Sequence, residues 1–230
     1  MAKLVLFDID GTLVLTGGAG VRAMNRACHE ILGHADALDG IPVAGRTDWI
    51  ILHDTLGRIG HELDEDLFAR LRDAYLRHLR EEILQPGKGV KDVMPGVRDL
   101  LDALGRRDDV FLGLLTGNFE EGARIKLEHF DLWRHFRCGA FGDDAADRNA
   151  LVPFALARAR ARGLAVIPPR HVIVVGDTPH DVACARAVDA TAVGVATGSF
   201  SAGELEACGA AAVFGDLSDT ARFVALVDAV

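Results

Sequence analysis

Asp8 and Asp10 stand one residue apart in Phe7-Asp8-Ile9-Asp10-Gly11-Thr12, directly after the apolar run 4–7. A carboxylate can attack an electrophile, exchange a proton or hold a hard cation, and a loop can turn two of them towards one point as a strand ends. The bland alternative is a turn, where Asp and Gly are favoured. Two further segments weigh against it. Leu114-Leu115-Thr116-Gly117-Asn118 ends a second apolar run in a hydroxyl, a glycine and an amide. Val175-Gly176-Asp177-Thr178-Pro179-His180-Asp181 ends a third run in a carboxylate, with another four residues on. Brought together, Asp8, Asp10 and Asp177 would repel one another and resist ionisation unless a cation neutralised them. An all-oxygen set with few protein ligands suits Mg²⁺, which keeps several waters and favours sites that also hold phosphate.

To converge, those side chains need a sheet beneath them. The runs 4–7, 110–115, 172–175, 192–196 and 211–214 are rich in Val, Leu, Ile and Phe and read as strands. They are continuous rather than alternating, as expected of parallel strands covered by helices on both faces. Helices are predicted over 97–104, with Val97, Leu100, Leu101 and Leu104 on one face, over 120–130, and over about 150–162, where Pro153 suits the first turn and Gly163 the stop. The class is therefore α/β, a Rossmann-like open parallel sheet whose ligand crevice lies beyond the carboxyl ends of its strands.

Residues 16–90 break this alternation. They hold three amphipathic patterns: Val21, Met24, Cys28, Ile31 and Leu32; Trp49, Leu52, Leu56 and Ile59; and Leu67, Leu71, Tyr75 and Leu79. Glycines 17, 18 and 20 flank the block on one side, and Pro86, Gly87, Gly89, Pro95 and Gly96 on the other. The expected organisation is a core of residues 1–15 and 91–230 with a helical domain, 16–90, inserted on two flexible connectors.

In their order along the chain these motifs resemble those of the haloacid dehalogenase superfamily, and within it the phosphatases similar to phosphoglycolate phosphatase. Asp8-x-Asp10-Gly11-Thr12 matches the first family motif, Thr116-Gly117-Asn118 the second and Gly176-Asp177-Thr178-Pro179-His180-Asp181 the fourth. The insert resembles the family's helical cap. The resemblance implies a Mg²⁺-dependent phosphatase of a small phosphorylated metabolite, with Asp8 as nucleophile, an aspartyl-phosphate intermediate and Asp10 as acid and base. Gly11 would admit the phosphoryl group to the backbone, Thr116 would donate to it, and Gly117 and Asn118 would help to bind substrate. Asp8, Asp177 and the Asp10 carbonyl would hold the metal, with Asp181 behind them. The family's third motif is normally a lysine, and here the pattern departs. Arg148 stands at the right interval before the fourth motif. Lys126, on the helix after the second, competes with it, although a surface position suits Lys126 better. Arg46 either opens a cap helix capped by Thr47 or Asp48, or reaches an anionic group of the substrate. The alternatives are a phosphomutase of the β-phosphoglucomutase type and, further off, a haloacid dehalogenase or a non-catalytic scaffold.

Composition removes other classes. With 25 basic and 34 acidic residues among 230, the net charge of −9 opposes general binding of nucleic acid or anionic membrane. Arg158, Arg160 and Arg162 alternate on a helix and read as a solvated face. Cys28, Cys138, Cys184 and Cys208 form no C-x-x-C pair, which fits a reducing cytoplasm. Acidic residues follow the first strand too closely for a signal peptide, and no stretch approaches the roughly 18 apolar residues of a membrane span. A monomer or homodimer is expected.

Overall fold

A computed structural model of the chain describes residues 1–62 and 64–230. Along the first half lie β1 (Lys3–Phe7), β2 (Val14–Thr16), α1 (Ala19–Leu32), α2 (Asp48–Arg58), α3 (Glu65–Glu82), β3 (Lys91–Val93), α4 (Val97–Gly105) and β4 (Val110–Leu115). The second half adds α5 (Glu120–His129), β5 (Cys138–Ala140), α6 (Leu151–Ala161), β6 (Val172–Gly176), α7 (Pro179–Arg186), β7 (Thr191–Val195), α8 (Ala202–Ala207), β8 (Ala212–Phe214) and α9 (Thr220–Ala229).

Every residue of β1, β4 and β6 is buried, which only a strand in the middle of a covered sheet can achieve. Six strands pair in the order β5-β4-β1-β6-β7-β8, all parallel. Side chains alternate across this sheet. Val5 and Phe7 face a cluster completed by α4, α5 and α9, among them Leu101, Leu127 and Phe223. Leu4 and Leu6 face Val152, Val182 and Leu205 from α6, α7 and α8. The Rossmann-like open sheet is thus the observed architecture. The five strands and three helices expected of it from apolar runs and helical spacing fall within one or two residues of their positions, while α7, α8 and α9 were not anticipated.

Two features depart from expectation. Cys138–Ala140 joins the sheet as an edge strand without an apolar run, held by its register with Gly113–Leu115. The connectors of the helical insert, expected to be flexible, pair with each other as an antiparallel ribbon, Val14 opposite Val93 and Thr16 opposite Lys91. The ladder satisfies backbone groups that glycine-rich connectors would otherwise expose.

Helices α1, α2 and α3 carry their own cluster. Met24 and Cys28, Leu52 and Leu56, and Leu71, Tyr75 and Leu79 are buried together, as the amphipathic spacing predicts. Phe119 and Ile125, at the start of α5 and within it, complete that cluster, so the insert rests on the sheet-bearing part.

Candidate active site

The register sets the heights of the strand tips. Phe7 is level with Leu114 on one side and Val175 on the other. Asp8, Thr116 and Asp177 therefore leave the sheet close together. β1 is also where the strand order divides, with β4 and β5 on one side and β6, β7 and β8 on the other, and ligands bind at such a division.

Beyond β1 the backbone folds back tightly, the Leu13 N–H donating to the Ile9 carbonyl at 2.9 Å and that of Gly11 to the Val14 carbonyl at 3.0 Å. Gly11 has φ +85°, and a Cβ there would stand 2.5 Å from Asp177 Oδ2, so glycine serves both the left-handed turn and the approach of the carboxylate. The Thr12 hydroxyl donates to Asp177 Oδ1 at 3.0 Å. From the loop after β7, the Thr197 hydroxyl donates to the Gly11 carbonyl at 2.5 Å. That loop is a contributor the sequence reading missed. It ends a parallel strand in Thr197-Gly198-Ser199, the same polar, glycine-bearing signal that marked the other tips.

Asp8, Asp177 and Asp181 are all buried, and one oxygen from each lies within 4.8 Å of the others. Burial, against the pull of Arg148 and reinforced by Asp181 and Asp10, pushes Asp8 up to about 6. Burial and then the charges of Asp8 and Asp181 push Asp177 up to about 8. Crowded carboxylates that resist ionisation are the expected state of a divalent-cation cradle without its ion, so the donor set fits Mg²⁺. Asp181 is more than a residue behind the others: its Oδ2 accepts from the Thr178 N–H at 3.0 Å and hydroxyl at 2.8 Å, while its Oδ1 pairs with Arg148.

Arg148, the favoured candidate for the bridging cation, lies against Asp8. Its Nη2 lies 2.9 Å from Asp8 Oδ1, and its remaining contacts include the Gly45 carbonyl at 3.0 Å and the Leu115 carbonyl at 3.3 Å. Its Nε–H is buried without an acceptor among the described residues. The acids before it shape its turn: Asp144 accepts from the Phe141 N–H and Asp147 from that of Asn149, both at 2.9 Å.

Lys126 corrects the surface position expected of it. It is buried on α5, with Nζ 2.6 Å from both Asp10 Oδ2 and Asn118 Oδ1. Asn118 in turn donates to Asp10 Oδ2 at 2.9 Å and to Thr116 Oγ1 at 2.7 Å. The Asp10 side chain is thus held by a lysine and an amide, away from the three clustered carboxylates. Gly20 of α1 packs against the ammonium, with a Cβ there at an ordinary contact distance of 3.6 Å.

The insert reaches this site through one loop and the start of α2. Thr47 is the N-cap, its oxygen accepting from the Ile50 N–H at 3.3 Å, while its hydroxyl donates to the Ala146 carbonyl at 2.9 Å. Asp48, read as a cap candidate only, is a buried charge whose N–H donates to the Gly117 carbonyl at 2.8 Å and whose carboxylate accepts from the Phe119 N–H at 2.9 Å. Burial, opposed by Lys126, pushes its carboxyl up to about 6. Arg46 borders the site, yet its guanidinium is bound 2.5 Å from Asp54 on α2 and 3.1 Å from the Pro42 carbonyl. A cavity of about 260 Å³ lies between insert and sheet, lined by Asp8, Asp10, Thr116, Lys126, Arg148 and Asp177 on the sheet side. Among the described residues no helix is long and apolar enough to cross a membrane.

A family profile described as haloacid dehalogenase-like hydrolase matches residues 5–195. The tyrosine-protein kinase PtkA of Mycobacterium tuberculosis is 30% identical over 200 residues, covering 84% of this chain. The match spans 62% of that longer protein. A phosphoglycolate phosphatase of Chromobacterium violaceum is 32% identical over 209 residues, 89% of this chain and 90% of that one. Among solved structures, CbbY from Rhodobacter sphaeroides in complex with phosphate superposes with a TM-score of 0.73 at 18% identity, covering 95% of this chain and 96% of the other.

Proposed function

The chain belongs to the haloacid dehalogenase-like hydrolase family, and from that membership we propose that it is a phosphatase that hydrolyses a small phosphomonoester through an aspartyl-phosphate on Asp8. The observation that carries the reading is the pairing of Asp8 with Arg148 at 2.9 Å, beside Asp177 and on the wall of the cavity between insert and sheet. A nucleophilic carboxylate and a phosphate-binding guanidinium are the two groups in-line displacement at phosphorus needs side by side.

In the proposed reaction an Asp8 oxygen bonds to phosphorus as the bond to the ester oxygen breaks, and Asp10 gives its proton to the departing alkoxide. Asp10, now ionised, takes a proton from water; that water attacks phosphorus, the Asp8–phosphorus bond breaks, and inorganic phosphate leaves. Lys126 and Asn118 hold the Asp10 side chain for both transfers. Thr116 and the backbone N–H groups of Ile9 and Asp10 supply donors to the phosphoryl oxygens, and Arg148 balances their charge. Asp8, Asp177 and the Asp10 carbonyl would hold Mg²⁺, with Asp181 alongside; once bound, the ion neutralises charge between nucleophile and phosphate. Residues 16–90 serve as the cap over a core of 1–15 and 91–230, excluding bulk water from the intermediate.

The test is turnover of p-nitrophenyl phosphate with and without Mg²⁺, together with mass spectrometry of acid-quenched enzyme. A phosphoryl adduct on the peptide containing Asp8, absent from Asp8→Asn, is the expected result. Transfer of that phosphoryl group to a second sugar phosphate rather than to water would replace hydrolysis with the mutase reaction.

A further inference from the structure

The two sides of the cavity differ in kind. Its floor is polar, but the wall contributed by β2, α1, α2 and the loop between those helices consists largely of Leu15, Val21, Met24, Leu38, Val43 and Ile51. Val21 and Val43 are 38% and 37% exposed, an arrangement with no gain for folding and a clear one for an apolar ligand. The cations of the lining are committed to carboxylates: Lys126 to Asp10, Arg148 to Asp8 and Asp181, and Arg46 to Asp54. The other charge that the insert brings to the lining is Asp48, a carboxylate.

Resting on the phosphatase reading above, we propose that the site selects esters of small, uncharged, mainly apolar alcohols and rejects those with a second anionic group. A carboxylate or second phosphate on the leaving group would shed water against aliphatic side chains and find no free cation. An alkyl chain would instead gain about three- to fourfold in kcat/KM for each methylene the wall covers. The cavity lies just below the about 300–1,000 Å³ of ordinary ligand sites, which sets the leaving group at a few carbons beyond the phosphoryl group.

The experiment compares kcat/KM for methyl, ethyl, propyl and butyl phosphate with that for 2-phosphoglycolate, whose carboxylate replaces the end of the propyl chain. Rising values along the alkyl series and a deficit for 2-phosphoglycolate on the order of 100-fold are expected. A flat series, or 2-phosphoglycolate turned over as well as propyl phosphate, overturns the proposal. Val21→Lys places a free cation on a partly exposed position of the wall and should narrow the gap at least about tenfold; an unchanged gap counts against the wall as the selective element. Calorimetric titration with butylphosphonate and phosphonoacetate separates the two levels of the argument. Tighter butylphosphonate supports the wall even if no ester is hydrolysed, which would remove the phosphatase reading alone, whereas tighter phosphonoacetate overturns the wall whatever the turnover.

Discussion

A carboxylate that shuttles a proton must be free to meet its substrate and yet be aimed, and Asp10 meets both conditions: its side chain is 42% exposed but held by Lys126 and Asn118. Asp10→Asn keeps the shape and the exposure while removing the proton. Turnover of p-nitrophenyl phosphate should fall roughly 10²–10⁴-fold, and because buried Lys126 loses its counter-charge the thermal midpoint should fall as well. Arg148 is the opposite case, a buried cation bridging two carboxylates and two carbonyl groups. A lysine has no planar fork to span them. Arg148→Lys should therefore lose about tenfold or more in kcat/KM. Arg148→Met, which strips Asp8 and Asp181 of their counter-charge, should cost about 3–5 kcal/mol in urea unfolding. An equal loss of stability in both variants would mean that the fork, rather than charge alone, is what the site uses.

At the scale of elements, the start of α2 decides how the insert meets the sheet. Asp48 is ionisable in a buried place, with a carboxyl moved from 3.8 to about 6 by burial. A raised folded-state pKa means that the folded chain holds this proton more tightly than the unfolded chain. The stabilising contribution is complete below pH 3.8 and lost as pH rises through about 6. Above that, the ionised group costs up to about 3 kcal/mol. Asp48→Asn, which resembles the protonated acid, should then raise the thermal midpoint by several degrees at pH 8 and by nothing at pH 4; a gain independent of pH would assign the effect to packing. Gly45 is a second control point, with φ +70° and Thr178 Oγ1 only 2.5 Å from where a Cβ would lie. Gly45→Ala should displace the loop from Arg148 and raise KM more than it lowers kcat. Asp48 was legible only as a helix cap and Lys126 only as a rival to Arg148, because the partners that place them in the site are 71 and 116 positions away. The strand tips were legible, since a parallel strand announces its end by the switch from an apolar run to Asp, Thr or Gly. Cys138–Ala140 shows the limit of that signal: three small residues at an edge have no run to end, and their strand character comes from β4.

For the whole molecule, the sheet gathers three buried carboxylates around one guanidinium, in a chain already carrying a net charge of −9. The fold tolerates this because Arg148, the Thr178 donors and Thr12 each satisfy part of the set. It leaves an excess of negative charge that a divalent cation would remove, so metal binding and folding should be linked. At a Mg²⁺ concentration a hundredfold above Kd the native state gains about 2.7 kcal/mol, and for a chain of this size the thermal midpoint should rise by about 5–10 °C. A chelator should reverse the rise. Asp177→Asn removes one of the crowded charges, so without metal it should melt higher than the wild type, while Mg²⁺ should move it little. The two midpoints would then converge or cross as Mg²⁺ is added, a pattern that neither general salt screening nor metal binding elsewhere on the surface can produce. Parallel rises in both proteins would mean that the ion sits away from Asp177 and that Arg148 alone balances the site.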